Sequence, residues 1–211
     1  LYDIEHAAEL TTMASISPSG PLLISTWDQQ TLLYEPHRGA VIQRYDHADD
    51  LYSFVYSPRG KYLAASSVGH VRIYDTQTGD ELQDVSDSCS LDDCFDVAFS
   101  LDGRRLAISQ FLKGSGELLI LQSPSGDASG REFSDYKKSY ALNARNDEHF
   151  GDDAVVAVAW RPPSSNQIAV CVGAKLLIYN AADLEAGNDP DGDGDGASDD
   201  DARGPSRQSK A

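Results

Sequence analysis

A nine-residue pattern recurs along the chain and limits what it can fold into. Tyr56-Ser57-Pro58-Arg59-Gly60-Lys61-Tyr62-Leu63-Ala64 returns as Phe99-Ser100-Leu101-Asp102-Gly103-Arg104-Arg105-Leu106-Ala107. An earlier copy reads Ile16-Ser17-Pro18-Ser19-Gly20-Pro21-Leu22-Leu23-Ile24. A looser one reads Trp160-Arg161-Pro162-Pro163, with Ile168-Ala169-Val170 after a longer turn. Each copy sets a turn between two runs of aromatic, β-branched or small apolar residues, the composition of strands. A third run follows each time: Leu32-Leu33-Tyr34-Glu35, Arg72-Ile73-Tyr74-Asp75, Leu119-Ile120-Leu121-Gln122 and Leu177-Ile178-Tyr179-Asn180. Short strands joined by tight turns pair antiparallel, because a parallel return needs a dozen or more residues. The stretch Leu51–Asp84 thus reads as a four-stranded meander with runs at Leu51–Tyr56, Tyr62–Ser66 and Val71–Tyr74 and a weaker one at Glu81–Val85.

Ser17, Ser57 and Ser100 stand 40 and 43 positions apart, the period of one β-propeller blade. With these motifs the chain resembles the WD-repeat β-propeller family. There an aromatic-Ser-Pro-Asp-Gly turn joins the first two strands of a blade, and a Trp-Asp dipeptide ends the third. Tyr74-Asp75 stands in the dipeptide's place, with Tyr34-Glu35, Leu121-Gln122 and Tyr179-Asn180 in the other copies. The family's histidine ahead of the first strand is matched by His47, and its acidic residue in the second-to-third-strand turn by Asp28. Its tetrad of His, Ser/Thr, Asp and Trp is complete in no repeat.

The resemblance spans Thr11 to about Asn180. It implies an all-β propeller unit over residues 1–184, with about four four-stranded antiparallel blades near 11–46, 51–85, 94–133 and 154–180. Residues 134–153 are then an insertion, with blade three ending near Phe133. The fourth blade lacks a fourth strand, and Leu1–Ile4 alternates as an outer strand that fits there and closes an edge. A compact four-blade ring and a partial propeller needing further blades both remain open, the partial propeller being preferred. Phe54, Tyr56, Leu63, Ile73, Val97, Phe99, Leu106, Ile120, Val158, Trp160, Ile168 and Ile178 are expected to be buried on alternating strand positions.

Formal charge is −17 over 211 residues. That field disfavours nucleic acid and anionic lipid and suits basic proteins or peptides as partners. No apolar run approaches a membrane span, and no basic-then-apolar leader is present. Three cysteines, Cys89, Cys94 and Cys171, form no paired framework and read as free thiols of a reducing compartment. The expected location is intracellular, cytoplasmic or nuclear.

Phosphate-loop, zincin and nucleophile-elbow motifs are missing, so no catalytic residues and no cofactor are assigned. The resemblance implies a non-catalytic scaffold presenting propeller loops to protein or peptide partners within a larger complex. The alternative is a propeller enzyme of the metal-dependent hydrolase or lactonase type. It would need Asp, Asn, Glu or His at the mouths of the innermost strands, which read Ser-Phe-Val-Tyr, Asp-Val-Ala-Phe and Ala-Val-Ala-Trp. Within the insertion, Tyr136, Lys137, Lys138 and Tyr140 are candidate partner contacts, since exposed aromatics beside basic residues suit interface anchors. The tail, 185–211, is rich in Asp and Gly and expected to be disordered. Asp189, Asp191, Asp193 and Asp195 fall in a stretch that opens like a calcium loop, but Asp200 holds the twelfth position where a bidentate Glu is needed. No metal is assigned there. Ser198, ahead of Asp199-Asp200-Asp201, fits an acidophilic kinase pattern.

Overall fold

The structure, a computed structural model, describes residues 11–16, 18, 22–26, 30–35, 38, 40–47, 50–126, 132–143, 153–162 and 167–181. The expected closing strand Leu1–Ile4, the acidic Asp28 and the tail with its calcium-loop aspartates and Ser198 lie outside them. The described residues form antiparallel sheets whose strands follow chain order. The first sheet holds β1 (Thr11–Ile16), β2 (Leu22–Thr26), β3 (Gln30–Glu35) and β4 (Ala40–Asp46). The second holds β5 (Leu51–Tyr56), β6 (Tyr62–Ser67), β7 (His70–Asp75) and β8 (Glu81–Asp84). In the third are β9 (Asp93–Phe99), β10 (Arg105–Leu112), β11 (Ser115–Gln122) and β12 (Lys137–Asn143). The fourth has three strands, β13 (Val155–Trp160), β14 (Gln167–Val172) and β15 (Lys175–Asn180). Among the described residues no helix exceeds the one-turn 3-10 element Val85–Asp87. That turn takes Val85 from the run read as the end of β8, because the Asp84 side chain accepts from the Ser86 N–H and caps it.

The recurring serine turn has a hydrogen-bond basis. The buried Ser57 Oγ accepts from the Tyr62 N–H at 3.0 Å, and the Ser57 carbonyl accepts from the Gly60 N–H at 2.8 Å. Ser100 repeats this with Arg105 and Gly103 at 2.9 and 2.8 Å. Gly60 and Gly103 sit at φ 71° and 67°, a region costly for residues with a Cβ. Hence serine and glycine recur three positions apart.

The sheets stand side by side through their first strands: β1 beside β5, β5 beside β9, β9 beside β13. Contacts across β5, β9 and β13 keep one offset per pair, which makes these three first strands run the same way. Ser53 Oγ donates to Asp96 Oδ1 at 2.7 Å, and the Tyr52 and Phe95 rings lie 5.8 Å apart. Further on, the Val158 N–H donates to Asp96 Oδ2 and Trp160 Nε1 to the Ala98 carbonyl, both at 3.0 Å. The core fills the gaps between sheets. Tyr62, Ala64, Val71 and Ile73 of the second sheet meet Val97, Phe99, Leu106 and Ile108 of the third. Ala107, Leu118 and Ile120, on its other face, meet Val158, Ile168, Val170 and Val172 of the fourth.

Ten of the residues expected in the core are buried, from Phe54 to Ile168. Ile178 is 67% exposed because no described sheet covers the second face of the fourth, whereas Trp160, opposite Ile168 on the covered face, is half-buried. A second difference concerns the stretch read as an insertion. Its residues 137–143 are β12, the fourth strand of the third sheet, paired along β11 from Gln122–Lys137 to Glu117–Asn143. The strand's own alternation was obscured by Lys137 and Lys138 at its exposed start. The turn between β10 and β11 is also shorter than its glycines imply: both strands run on to a two-residue hairpin at Lys113-Gly114, each at positive φ.

Candidate interaction surface

Every first strand carries a β-bulge near its start. Pairing skips one residue between Thr11 and Met13, between Leu51 and Ser53, between Cys94 and Asp96, and between Val155 and Ala157. The bulged residues are Thr12, Tyr52, Phe95 and Val156. A bulge breaks the ladder and re-aims the side chain it carries. Tyr52 is 40% exposed, Val156 is 47% exposed and Phe95 is partly exposed, its ring tilted against Tyr52. Since β5, β9 and β13 run the same way, these three side chains gather at one end of the molecule. The links and turns at that end carry Asp50, Asp87, Asp92, Asp93 and Asp153 against Lys113 and Lys175. The result is an apolar, partly aromatic strip inside an acidic border.

The strip stands on a rigid base. Asp96, one residue past the Phe95 bulge, takes the Ser53 hydroxyl from one neighbouring sheet and the Val158 N–H from the other. The link between the second and third sheets is tied down twice. The Gly69 N–H donates to the Asp92 carbonyl at 2.8 Å, and the Asp92 N–H donates to Gln110 Oε1 at 3.3 Å. Gln110 is fully buried, and its amide donates to the Glu117 carboxylate, which also accepts from Asn143 Nδ2 at 3.0 Å. Beside the link, Gly69 and residues Ser86 to Leu91 line a cleft of about 480 Å³.

At the edge of this cleft His70, Arg72, Asp84 and Ser86 meet. His70 Nδ1 lies 2.8 Å from Asp84 Oδ2, and Arg72 Nε donates to the same oxygen at 3.1 Å. Burial works against the Asp84 carboxylate. The Ser86 hydroxyl and N–H together with His70 outweigh it and hold its pKa below the usual aspartate value. Ser, His and Asp are therefore neighbours, yet they do not form a nucleophile relay. Ser86 Oγ, 3.2 Å away, faces the same ring nitrogen as Asp84, whereas a relay needs one partner on each nitrogen. Two of the cysteines are equally unsuited to nucleophilic work: burial pushes the Cys94 thiol up to about 12 and raises that of Cys89. Among the described residues no group of three or more His, Cys, Asp or Glu is arranged to hold a metal ion.

The residues singled out from sequence are spread differently from expectation. Tyr136 and Tyr140 are buried, not exposed. The Tyr136 hydroxyl donates to the Gly103 carbonyl, and its backbone is paired on both sides by the Gln83 amide, at 2.8 and 2.9 Å. It is a pin between the second and third sheets. Lys137 and Lys138 are exposed at the start of β12, away from the bulged end. His47 is buried, with Thr31 Oγ1 3.0 Å from Nε2 and the Tyr74 hydroxyl 3.4 Å from Nδ1. Thr31 lies on β3 of the first sheet and Tyr74 on β7 of the second, so His47 joins two sheets rather than completing the tetrad of one repeat. The sequence reading passed over Tyr52, Phe95 and Val156 because bulges leave no mark in an apolar run. One signal was available: each follows an acidic residue by two or three positions at Asp50, Asp92, Asp93 and Asp153.

No family model matches the chain. It is 30% identical over 109 residues to Cross-pathway control WD-repeat protein 2 of Flammulina velutipes, a match that covers 48% of this chain and 34% of that protein. The chain thus spans about a third of the length of this curated relative. No helix among the described residues is long and apolar enough to cross a membrane. The match over about half its length, together with its four-stranded antiparallel sheets, makes the chain similar to the WD-repeat proteins.

Proposed function

We propose that the chain is part of a non-catalytic, WD-repeat-type interaction scaffold of the cell interior. Its sheets are propeller blades, and the bulged end of their first strands receives protein or peptide partners. One observation carries this reading: the same bulge recurs at the start of all four first strands and sets Tyr52, Phe95 and Val156 together. Exposed aromatics on a rigid base lose little entropy when a partner covers them, which is what binding hot spots need. The five carboxylates around them favour a partner segment with lysine or arginine flanking an apolar residue. Blade geometry is supported by the packing of successive first strands side by side.

An array of peptides graded from acidic to basic, each with and without a central apolar residue, tests this. The chain should retain basic peptides with an apolar centre, and binding should weaken as salt rises. Retention of acidic peptides, or binding indifferent to the apolar residue, would overturn the assignment.

A further inference from the structure

We propose that Ser90, in the link between the second and third sheets, is a phosphorylation site for an acidophilic protein kinase, and that its phosphate strengthens the hold of the bulged end on basic partners. The modification stands on the link alone, whereas its effect rests on the interaction surface proposed above. Three hydroxyl residues of the chain have a carboxylate at both the second and the third following position. They are Thr78 with Asp80 and Glu81, Ser90 with Asp92 and Asp93, and Ser198 with Asp200 and Asp201. A kinase that selects such segments reads the carboxylates with its own basic side chains. It also needs the hydroxyl and the backbone beside it free to lie across its surface. Ser198 lies outside the described residues, and the structure separates the other two.

Thr78 is locked in the turn after β7. Its Oγ1 accepts from the Asp80 N–H at 3.2 Å, and its own N–H and that of Gln77 donate to Asp75 Oδ1 at 3.0 and 2.7 Å. The Gly79 N–H donates to the Asp75 carbonyl at 2.9 Å, and Gly79 sits at φ 83°, far from extended backbone. Ser90 differs at each point. It is exposed, and among the described residues neither its hydroxyl nor the N–H groups of Ser90 and Leu91 make a hydrogen bond. The segment is tied at its ends, by the Cys89 N–H on the Val85 carbonyl at 3.1 Å and the Gly69 N–H on the Asp92 carbonyl at 2.8 Å. Its two bonds to the Gln110 amide, from the Asp92 N–H and to the Ser90 carbonyl, are long at 3.3 and 3.5 Å. The Asp92 and Asp93 carboxylates form no ion pair among the described residues. The other serines of the link are taken: Ser86 Oγ donates to Asp84 Oδ1 at 2.7 Å, and Ser88 Oγ to the Val85 carbonyl at 3.2 Å.

In the transfer, Ser90 Oγ attacks the γ-phosphorus of ATP. The new O–P bond replaces the one from that phosphorus to the bridging oxygen, ADP leaves, and the hydroxyl proton passes to the catalytic base of the kinase. The product carries about 1.5 to 2 negative charges near pH 7. Arg72 and His70, at the edge of the cleft that Ser90 lines, are already engaged by Asp84. The phosphate therefore adds its charge to the border formed by Asp87, Asp92 and Asp93. A more negative border draws a lysine- or arginine-bearing segment more strongly, an effect that salt screens.

The chain would be incubated with ATP, magnesium and a purified acidophilic kinase, and phosphate located residue by residue by mass spectrometry. Synthetic peptides of residues 85–95 and 73–83 give the rate of each site without the fold. Ser90 in the chain should be labelled within about threefold of its peptide, whereas Thr78 should fall at least about tenfold below its own, since labelling there waits on local opening. Asp93→Asn should slow Ser90 by about tenfold or more with the melting temperature unchanged. No phosphate on Ser90 in a chain that takes it on Ser198, or an Asp93→Asn chain labelled as fast as the parent, would overturn the site. So would Thr78 keeping as much of its peptide's rate as Ser90 does. Isothermal titration with one basic peptide then compares the phosphorylated chain with a Ser90→Ala chain treated alike. Affinity should rise by about threefold or more with phosphate on Ser90, and the gain should vanish at high salt. Binding without a gain would overturn the effect of the phosphate. Binding by neither form would remove the surface proposed above and leave the modification standing.

Discussion

Asp96 shows how much one side chain joins in this molecule. Its two oxygens tie the second sheet to the third and the third to the fourth, through the Ser53 hydroxyl and the Val158 N–H. Replacing it with alanine leaves that N–H without its acceptor and should cost about 1–3 kcal/mol in a denaturant titration. A double-mutant cycle with Ser53→Ala should give a coupling above about 0.5 kcal/mol, and additivity would mean the contact is idle. Ile73 and Ile178 make a second comparison, since they hold the same register position with opposite exposure. Ile73→Ala should lose about 2–5 kcal/mol, whereas Ile178→Ala in the same chain should stay within about 0.5 kcal/mol, as surface changes do. Equal losses would contradict the exposed face.

At the scale of the element, turns and caps carry the sequence signature. Ser57 and Ser100, with their glycines, were legible as turns because serine, proline and glycine there do one backbone task each. The strands around them were legible too, by alternation. β12 was not: it enters after a link of fourteen residues beyond β11 and begins with two lysines, so its apolar face rests on Tyr140 and Leu142 alone. The exposure of Ile178 was equally out of reach, since alternation tells which face a residue is on but not whether another sheet lies over it. The turn carboxylates give the fold an acid limit. Asp102 faces a burial cost that the Ser100 hydroxyl, the Arg104 N–H and two arginine charges outweigh, so its pKa, like that of Asp84, lies below the usual value. A carboxylate depressed in the folded state adds stability above its unfolded pKa and loses it as pH falls through the folded one. Stability should thus decline from about pH 4 downward, and the decline should shrink in an Asp84→Asn, Asp102→Asn double variant. An unchanged acid profile in that variant would show that other groups set the limit.

For the whole molecule, the repeat explains both the fold and the surface. A sheet of four short strands cannot bury its faces alone, and stacking neighbours by their first strands makes one continuous core. The same repetition carries the bulges to the same end, so that Tyr52, Phe95 and Val156 lie at one end of the molecule although they stand 43 and 61 positions apart in sequence. Sequence alone made the repeat legible, but the aromatics it singled out, Tyr136 and Tyr140, are core residues. The most direct measurement is the affinity of one array-selected basic peptide, by isothermal titration, for the chain and three variants. Tyr52→Ala and Val156→Asp should each weaken it by about tenfold or more, or 1.4 kcal/mol, with the melting temperature held. Ile42→Ala, on the exposed outer strand of the first sheet, should leave it unchanged. Affinity unmoved by Tyr52→Ala and Val156→Asp, or lost equally in Ile42→Ala, would contradict a binding surface at the bulged strand ends.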